Sequence, residues 1–381
     1  MTDDKLTGLV FGSGFAGQGH AEAMRYCGVE VVGMVSRTEE VVKRVAGEMG
    51  IPYASTDWYG AVDELRPDIV AIGTPGGAHY EQILAAIEVG CHVFCDKPLT
   101  TSAETSKELY VAARERSVKT AYAASFRYQP HALLAKKLIA EGVIGEPFET
   151  ECVSHYELNP LIPWGWSHLI ELGGGRLSNN FTHKLSIVLH ALDATLIDIN
   201  GEARNDMHRA PVVEGVHDFR ERGDFAPSAD ELDGLEWRDV DSEWSYSALA
   251  HVLPGRETRQ PVTSVFRHGG MQPRFEDDYV AFYGDEASIH IGDAYAQGPL
   301  HVKRRGSDWE RVDVPSSVTD SLPDIEDDTQ RNWTVLMDEL VADIRGKGYC
   351  GYQTFRDGWV FQEAVDAVRR GDGWFTVPTD A

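Results

Sequence analysis

The sequence predicts an α/β chain in two parts. A doubly wound parallel sheet occupies residues 1–124, and an α+β domain with an open, mostly antiparallel sheet follows over 125–381. Three observations carry this. An apolar run, Leu6–Phe11, leads straight into the glycine-rich turn GSGFAG. Strand-like and helix-like segments then alternate to about residue 124. Beyond residue 148 the apolar residues recur at period two, with a hairpin-like Gly284-Asp285 between two such runs.

The first turn sets the chemistry. Gly12, Ser13, Gly14, Phe15, Ala16 and Gly17 form G-x-G-x-x-G after a strand and at the start of a helix. Gly12 suits a tight turn, Gly14 lets backbone approach a pyrophosphate, and Gly17 permits close packing of helix on strand. Free N–H groups at the helix start then meet the phosphates, so the reading is a Rossmann dinucleotide site. The second strand, Val29–Val35, ends in Ser36-Arg37 where NAD sites usually carry an acid. A hydroxyl and a guanidinium suit a 2′-phosphate, which favours NADP, with NAD the alternative.

A helix is expected over Thr38–Met49, and a strand over Asp68–Gly73 that ends in Thr74-Pro75 and, after two glycines and an alanine, His79. That loop leaves the carboxyl edge of the sheet, where cofactors bind. His79 either orients the nicotinamide or makes a structural bond at the start of the helix Tyr80–Val89. The strand His92–Cys95 presents Asp96, Lys97 and Pro98 at the same edge, and proline holds the lysine rather than leaving it loose. A helix over Ser102–Glu115 and a strand over Lys119–Ala124 complete the alternation. The pattern changes at Phe126-Arg127-Tyr128-Gln129-Pro130. A helix over His131–Glu141 and a strand over Phe148–Tyr156 follow. Trp164, Trp166 and His168 precede Gly173-Gly174-Gly175, and a helix over 178–192 carries Asn179, Asn180, His183 and Ser186. Asn179 and His183, four apart, share one helix face. Residues 200–243, rich in Asp, Glu, Gly and Pro, read as a surface insertion that covers the site or meets another subunit. Strands are expected over 244–252, 261–266, 279–283 and 287–291. An acidic linker at 324–328 and helices over 333–345 and 354–369 close the chain.

Composition narrows the function. A net charge of −26 argues against nucleic acid or an anionic membrane as partner. No run approaches a membrane span, and the acidic start MTDDKLTGLV is not a signal peptide. Five cysteines without framework spacing fit a reducing cytoplasm. Cys91 and Cys95 beside His92, with no second Cys/His pair, do not make a zinc site.

Taken together, GSGFAG, the TP…H loop at 74–79, CDKP at 95–98, FRYQP at 126–130, GGG at 173–175 and His183 resemble the Gfo/Idh/MocA oxidoreductases over essentially the whole chain. The resemblance implies that Lys97 and His183 face the transferred hydride, and that the C-terminal sheet carries the substrate and builds a homo-oligomer interface. It also exposes departures. The family commonly has Asp at Asn179, Gly at Phe181 and a second acid at Ser186; Asn cannot hold a proton as a carboxylate does. The proton path is then rebuilt around His183 and Lys97, or uses Tyr156, Tyr128 or His155. The expected activity is hydride transfer between NAD(P) and a hydroxyl-bearing carbon of a sugar, cyclitol or glycoside. His183 is the base, Lys97 polarises the oxygen, and Asn179 orients. The candidate substrate contacts are Lys97, Arg127, Tyr128, Tyr156, Trp164, Trp166, His168, Asn179, Asn180 and His183, since sugars need aromatic faces beside convergent polar groups. The alternatives are an internal oxidation and re-reduction on a tightly held cofactor, and a dinucleotide sensor without chemistry.

Overall fold

The computed structural model describes residues 5–155, 157–216, 222–256, 258, 260–273, 277–293 and 295–379. The first half is strictly alternating: β1 (Thr7–Phe11), α1 (Phe15–Tyr26), β2 (Glu30–Val35), α2 (Glu39–Glu48), β3 (Tyr53–Ser55), α3 (Trp58–Leu65), β4 (Ile69–Ile72), α4 (His79–Glu88), β5 (His92–Cys95), α5 (Ala103–Arg116) and β6 (Thr120–Tyr122). These strands pair in parallel in the order β3-β2-β1-β4-β5-β6. The order reverses between β1 and β4, so a crevice opens at their carboxyl ends. The central strands are buried on both faces, Ile69–Ile72 being wholly inaccessible, because helices cover each side.

Next come α6 (Pro130–Ala140), β7 (Pro147–His155), α7 (Thr182–Leu192), β8 (Ala194–Arg204), β9 (Arg209–Pro211), β10 (Trp237–Asp239), β11 (Ser245–Pro254), β12 (Val262–Gly269), β13 (Asp277–Gly284), β14 (Ala287–Gly292), β15 (Leu300–Arg304) and β16 (Glu310–Val312). The chain ends with α8 (Ser316–Thr319), α9 (Asp328–Ile344), α10 (Phe355–Arg370) and β17 (Phe375–Thr376). A nine-stranded sheet runs β16-β15-β14-β13-β7-β12-β11-β8-β17, and β7–β12 is its parallel pair among antiparallel neighbours. One face buries Cys152, Phe266, Phe282 and Ile289 against α7 and its surroundings, while Leu249 on the other face stays 42% exposed.

Two expectations change. The insertion is shorter than 200–243, because β8 continues to Arg204 in register with β11 and belongs to the sheet; the excursion is the β9–β10 hairpin and the turns between its strands. The acidic run at 324–328 is more than a linker, since the Asp327 carboxylate accepts from the Gln330 N–H at 2.7 Å and starts α9. That helix returns to the first sheet. Trp333 packs edge-on to His20 of α1 at 4.6 Å, and His20 meets Phe94 of β5 at 4.9 Å.

Candidate active site

The site is assembled at the carboxyl ends of β1, β4 and β5. At β5 the chain leaves through Asp96, Lys97 and Pro98, whose Lys97–Pro98 bond is cis. The Asp96 carboxylate accepts from the Lys97 N–H at 2.7 Å. His79, fully buried, ties this loop to the one after β4. Its Nε2 lies 2.7 Å from the Thr74 carbonyl and its Nδ1 2.9 Å from the Pro98 carbonyl. Burial pushes the His79 pKa down, against the pull of those carbonyls and of Asp96. The structure therefore turns both ring nitrogens of His79 to backbone. Its part is to hold the two loops that frame the crevice.

The glycine stretch packs on this frame. A Cβ on Gly173 would lie 3.0 Å from Gly76 Cα and 3.1 Å from Pro98 Cγ. From there the chain enters a single π-helical turn, Leu177–Phe181, that runs into α7. Such wider turns concentrate at functional sites, and this one changes the angle between Asn179 and His183 from that of a regular helix. Arg369 of α10 pins the turn from below. It makes a two-pronged pair with Glu243 (both contacts 3.1 Å) and donates to the Gly174 carbonyl and the Ser178 hydroxyl at 3.0 Å each. Glu243 also accepts from the Leu177 N–H at 2.8 Å. Glu243 is buried and the Arg369 side chain only 13% exposed, so removing one strands the other's charge. Arg369→Leu is expected to cost about 3–5 kcal/mol, read as a lower unfolding temperature, with part of the loss recovered in Arg369→Leu/Glu243→Leu.

His183 stands at the second residue of α7, 5% exposed. Phe126 meets its ring edge-on at 4.5 Å and Tyr295 does so at 5.5 Å. Burial, and then the positive charge of Lys97, push its pKa well below that of an ordinary imidazole. The ring is thus held neutral, within electrostatic reach of an ammonium. Asn179 is half-buried and lines a cleft with Trp166, Arg176 and Arg222.

Other expected contacts are engaged elsewhere. Asn180 is fully buried and spends its amide on the sheet, donating to Ser154 (3.2 Å) and Tyr295 (3.3 Å) while accepting from Tyr246 (2.6 Å). Tyr128 is buried and gives its hydroxyl to Glu339. Arg127 reaches His190 and the Gly351 carbonyl. Trp164 anchors the β9–β10 hairpin through Nε1 to the Asp239 carbonyl at 3.1 Å. His168 is buried with Nδ1 accepting from the Gly165 N–H at 3.0 Å. Tyr156 lies outside the described residues. Ser186, in place of an acid, links α7 to the end of β6 by donating to the Ala124 carbonyl at 2.7 Å. Phe181, in place of glycine, fills the core against Tyr246 and Phe266. Sequence reasoning missed Phe126, Tyr295, Arg176, Arg222 and Glu243 as parts of this region. Phe126 alone gave a signal, as the first residue of FRYQP.

The nucleotide cradle passes a direct test of fit. Gly12 has φ +103°, and a Cβ there would sit 2.7 Å from the Gly73 carbonyl oxygen. A Cβ on Gly17 would collide with the Gly12 carbonyl, whereas nothing lies within 4 Å of one on Gly14. Helix α1 follows Gly14, which offers no side-chain cap, and has no acid in its first turn, leaving its N–H groups and positive end for an anion. At the end of β2 the Ser13 hydroxyl donates to that of Ser36 at 2.9 Å, and Arg37 is exposed beside it.

Residues 6–124 match the family described as "Oxidoreductase family, NAD-binding Rossmann fold". Among curated relatives, a 1,5-anhydro-D-fructose reductase of Ensifer adhaerens is 34% identical over 216 residues, 55% of this chain and 62% of that protein. A levoglucosan dehydrogenase of Pseudarthrobacter phenanthrenivorans is 31% identical over 151 residues, 39% of each chain. The matched stretches thus span less than two thirds of those relatives' length. The whole architecture recurs in solved structures. A levoglucosan dehydrogenase in complex with NADH and levoglucosan has TM-score 0.80 at 19% identity over 98% of this chain and 100% of that one. An NAD-binding oxidoreductase from Klebsiella pneumoniae has TM-score 0.79 at 24% identity over 99% and 100%. Residues 6–124 thus match an NAD-binding oxidoreductase family, and the chain as a whole shares the fold of these structures, a parallel nucleotide-binding sheet followed by a mixed second sheet.

Proposed function

We propose that the chain is an NAD(P)-dependent dehydrogenase acting on a hydroxyl-bearing carbon of a sugar, cyclitol or glycoside. One observation carries it: Lys97, at the end of β5, lies close enough to His183, at the start of α7, for its charge to depress the imidazole. A hydroxyl is too weak an acid to lose its proton at neutral pH unaided. His183, neutral and buried, accepts that proton, and the Lys97 ammonium stabilises the oxygen as it gains charge. Asn179 hydrogen-bonds the substrate at the cleft wall, doing without a carboxylate. Phe126 and Tyr295 keep water from the imidazole. A bound nicotinamide dinucleotide would supply the hydride acceptor, its pyrophosphate held by the N–H groups of residues 13–17 and its nicotinamide end by Thr74, Pro75 and Asp96 at the crevice. The relatives' names support this class: a reductase of 1,5-anhydro-D-fructose, dehydrogenases of levoglucosan and of scyllo-inositol, and a D-glucoside 3-dehydrogenase.

Purified protein with NADP⁺ or NAD⁺ and a sugar and cyclitol panel, followed by nicotinamide absorbance, tests the reading. Cofactor binding without net reduction of any substrate would count against it and for an internal oxidation and re-reduction cycle. Ser36 and Arg37 favour NADP. Arg37→Glu is expected to shift the NADP-to-NAD preference by about tenfold or more, since a charge-assisted contact is worth about 1.5–3 kcal/mol; the ratio of kcat/KM values reads it. The same reading makes the protein a cytoplasmic homo-oligomer joined through the open face around Leu249, which sedimentation tests. Among the described residues no helix is long and apolar enough to cross a membrane.

A further inference from the structure

We propose that Tyr295 is a positioning residue for His183. Its ring, stacked on Phe126, forms the wall that orients the imidazole and keeps it unprotonated, a task that a catalytic histidine usually leaves to a hydrogen-bonding partner. The inference deepens the dehydrogenase reading and rests on it for what His183 does; it adds what holds His183 there.

His183 lacks such a partner. Its Nδ1 is buried and meets no hydrogen-bonding group among the described residues, and Asn179 and Ser186 stand where the resemblance implied acids. What touches the ring is aromatic. Phe126 follows the last strand of the first sheet, and Tyr295 comes from the turn between β14 and β15. They meet the imidazole edge-on, at 78° and 76° to its plane. The two lie flat on each other at 4.6 Å and 11°, so a tilt of one is resisted by the other. The grip therefore closes only when the second sheet is docked beside the first.

Tyr295 is itself held. Its hydroxyl accepts from Asn180 Nδ2 at 3.3 Å. Asn180 belongs to the π turn and is fixed by Ser154 of β7 and Tyr246 of β11. The turn that carries Tyr295 closes at its neck, where the Gly298 N–H donates to the Gly292 carbonyl at 2.9 Å. A Cβ on Gly298 would come within 2.8 Å of that carbonyl. Asp293 and Ala296 adopt positive φ, +71° and +59°, and Ala296 is fully buried. Such backbone persists only where its surroundings enforce it. Gln297 then ties the turn to Asp328, the first residue of α9, at 2.9 Å. The Tyr295 ring is thus delivered to one place.

This placement has an electrostatic consequence. Burial lowers the His183 pKa more than the Lys97 charge does, and the aromatic wall supplies that burial on the side it covers. Other charges nearby are directed elsewhere. Lys184, next along α7, gives its ammonium to the Val153 carbonyl. The Asp96 carboxylate takes the Lys97 N–H, Asp278 lies opposite Ser154 on β13, and Asp293 is exposed at the base of the turn.

The test is an NMR titration of the histidine side chains in the unliganded protein, with the His183 signal identified by its loss in His183→Gln. Values of kcat and KM for any substrate that turns over accompany it, and thermal unfolding shows that each variant is folded. In Tyr295→Leu the His183 titration is expected to rise toward the ordinary imidazole value of about 6.5. There kcat should fall about ten- to a hundredfold, with KM changed far less. Tyr295→Phe keeps the ring and should keep the wild-type titration and most of kcat. A merely structural tyrosine would lower the unfolding temperature and leave the titration where it was. Phe126→Leu opens the same wall from its other half and is expected to raise the titration too, which decides the matter if Tyr295→Leu does not fold. A titration unmoved in the folded leucine variant, or moved as far by Tyr295→Phe, would overturn the inference. Titrations that move as expected, without nicotinamide reduction by any substrate, would sink the dehydrogenase reading and leave the hold on His183 standing. Turnover with unmoved titrations would do the reverse.

Discussion

Lys97→Met is expected to lower kcat for sugar oxidation by about 10²–10⁴, the range for losing a positioned acid–base or oxyanion-stabilising group. That is about 3–5 kcal/mol of barrier at 1.36 kcal/mol per tenfold. Dinucleotide affinity should change far less, because the cradle at Gly12–Gly17 is made of backbone rather than of the Lys97 side chain. The pH dependence has a definite sign. His183 is held neutral, by burial first and by Lys97 second, so wild-type oxidation stays level as pH falls past the ordinary imidazole value of about 6.5. Without the ammonium the imidazole pKa rises, and the acid limb of the residual activity moves to higher pH. Stability follows the same linkage. Below about pH 6.5 the unfolded chain takes up a proton that buried His183 refuses, so the wild type loses stability there as pH falls. The Lys97→Met protein, binding the proton more readily when folded, should lose less. Rate–pH profiles and unfolding midpoints of both proteins read this out. Turnover left intact in a Lys97→Met enzyme that binds cofactor normally would remove Lys97 from the chemistry.

Gly17→Ala should abolish tight dinucleotide binding. The added methyl would collide with the Gly12 carbonyl, and that atom is backbone, unable to swing aside as a side chain would. Gly73 closes the other side, where a Cβ would lie 2.6 Å from the Gly17 nitrogen. Relief therefore means moving α1 away from β1 and β4, and with it the N–H groups that face the phosphates. Overpacking alone costs about 1–3 kcal/mol, and each 1.4 kcal/mol carried into binding is tenfold in Kd. Fluorescence titration with NADPH and with NADH, beside an unfolding curve of the free protein, separates the two effects. Gly14→Ala is the control, since a Cβ there meets no protein atom within 4 Å; it probes only the space a pyrophosphate would occupy.

The sequence showed most plainly what is local. Leu6–Phe11 with GSGFAG, and the apolar run before Asp96-Lys97-Pro98, each carry their own strand, turn and exit, so the doubly wound sheet was legible. The three-residue β3 and the helix α3 were not, because Tyr53–Ser55 is too short to show a period and the amphipathic stripe of Trp58–Leu65 spans barely two turns. The mixed sheet was legible in kind but not in order. Pairing β7 with β12 joins Thr150 to Ser264 across more than a hundred residues, and nothing in either strand names the other. The site divides in the same way. Lys97 and His183 stood out as titratable groups beside chain-breaking residues. The π turn, the Arg369–Glu243 pair and the reach of Arg222 depend on side chains meeting from distant segments. Asn180 and Tyr128 looked like site residues for their type, yet each is turned inward by partners, Tyr246 and Glu339, that only the fold brings near.

The seat of Trp333 between Phe15 and His20 carries a consequence for how the chain is made. The parallel sheet is fully synthesised once residue 122 has left the ribosome, but the helix that roofs α1 begins only at Asp328. Through those two hundred residues of synthesis, His20, Met24 and the neighbouring apolar side chains face water or whatever shields them. The last strand of that sheet is also incomplete until late, since the Tyr122 N–H takes its acceptor, the Gln353 carbonyl, from the far end of the chain. The nucleotide fold is thus written first and locked last, and the emerging chain needs protection longest at the surface that finally supports its cofactor loop.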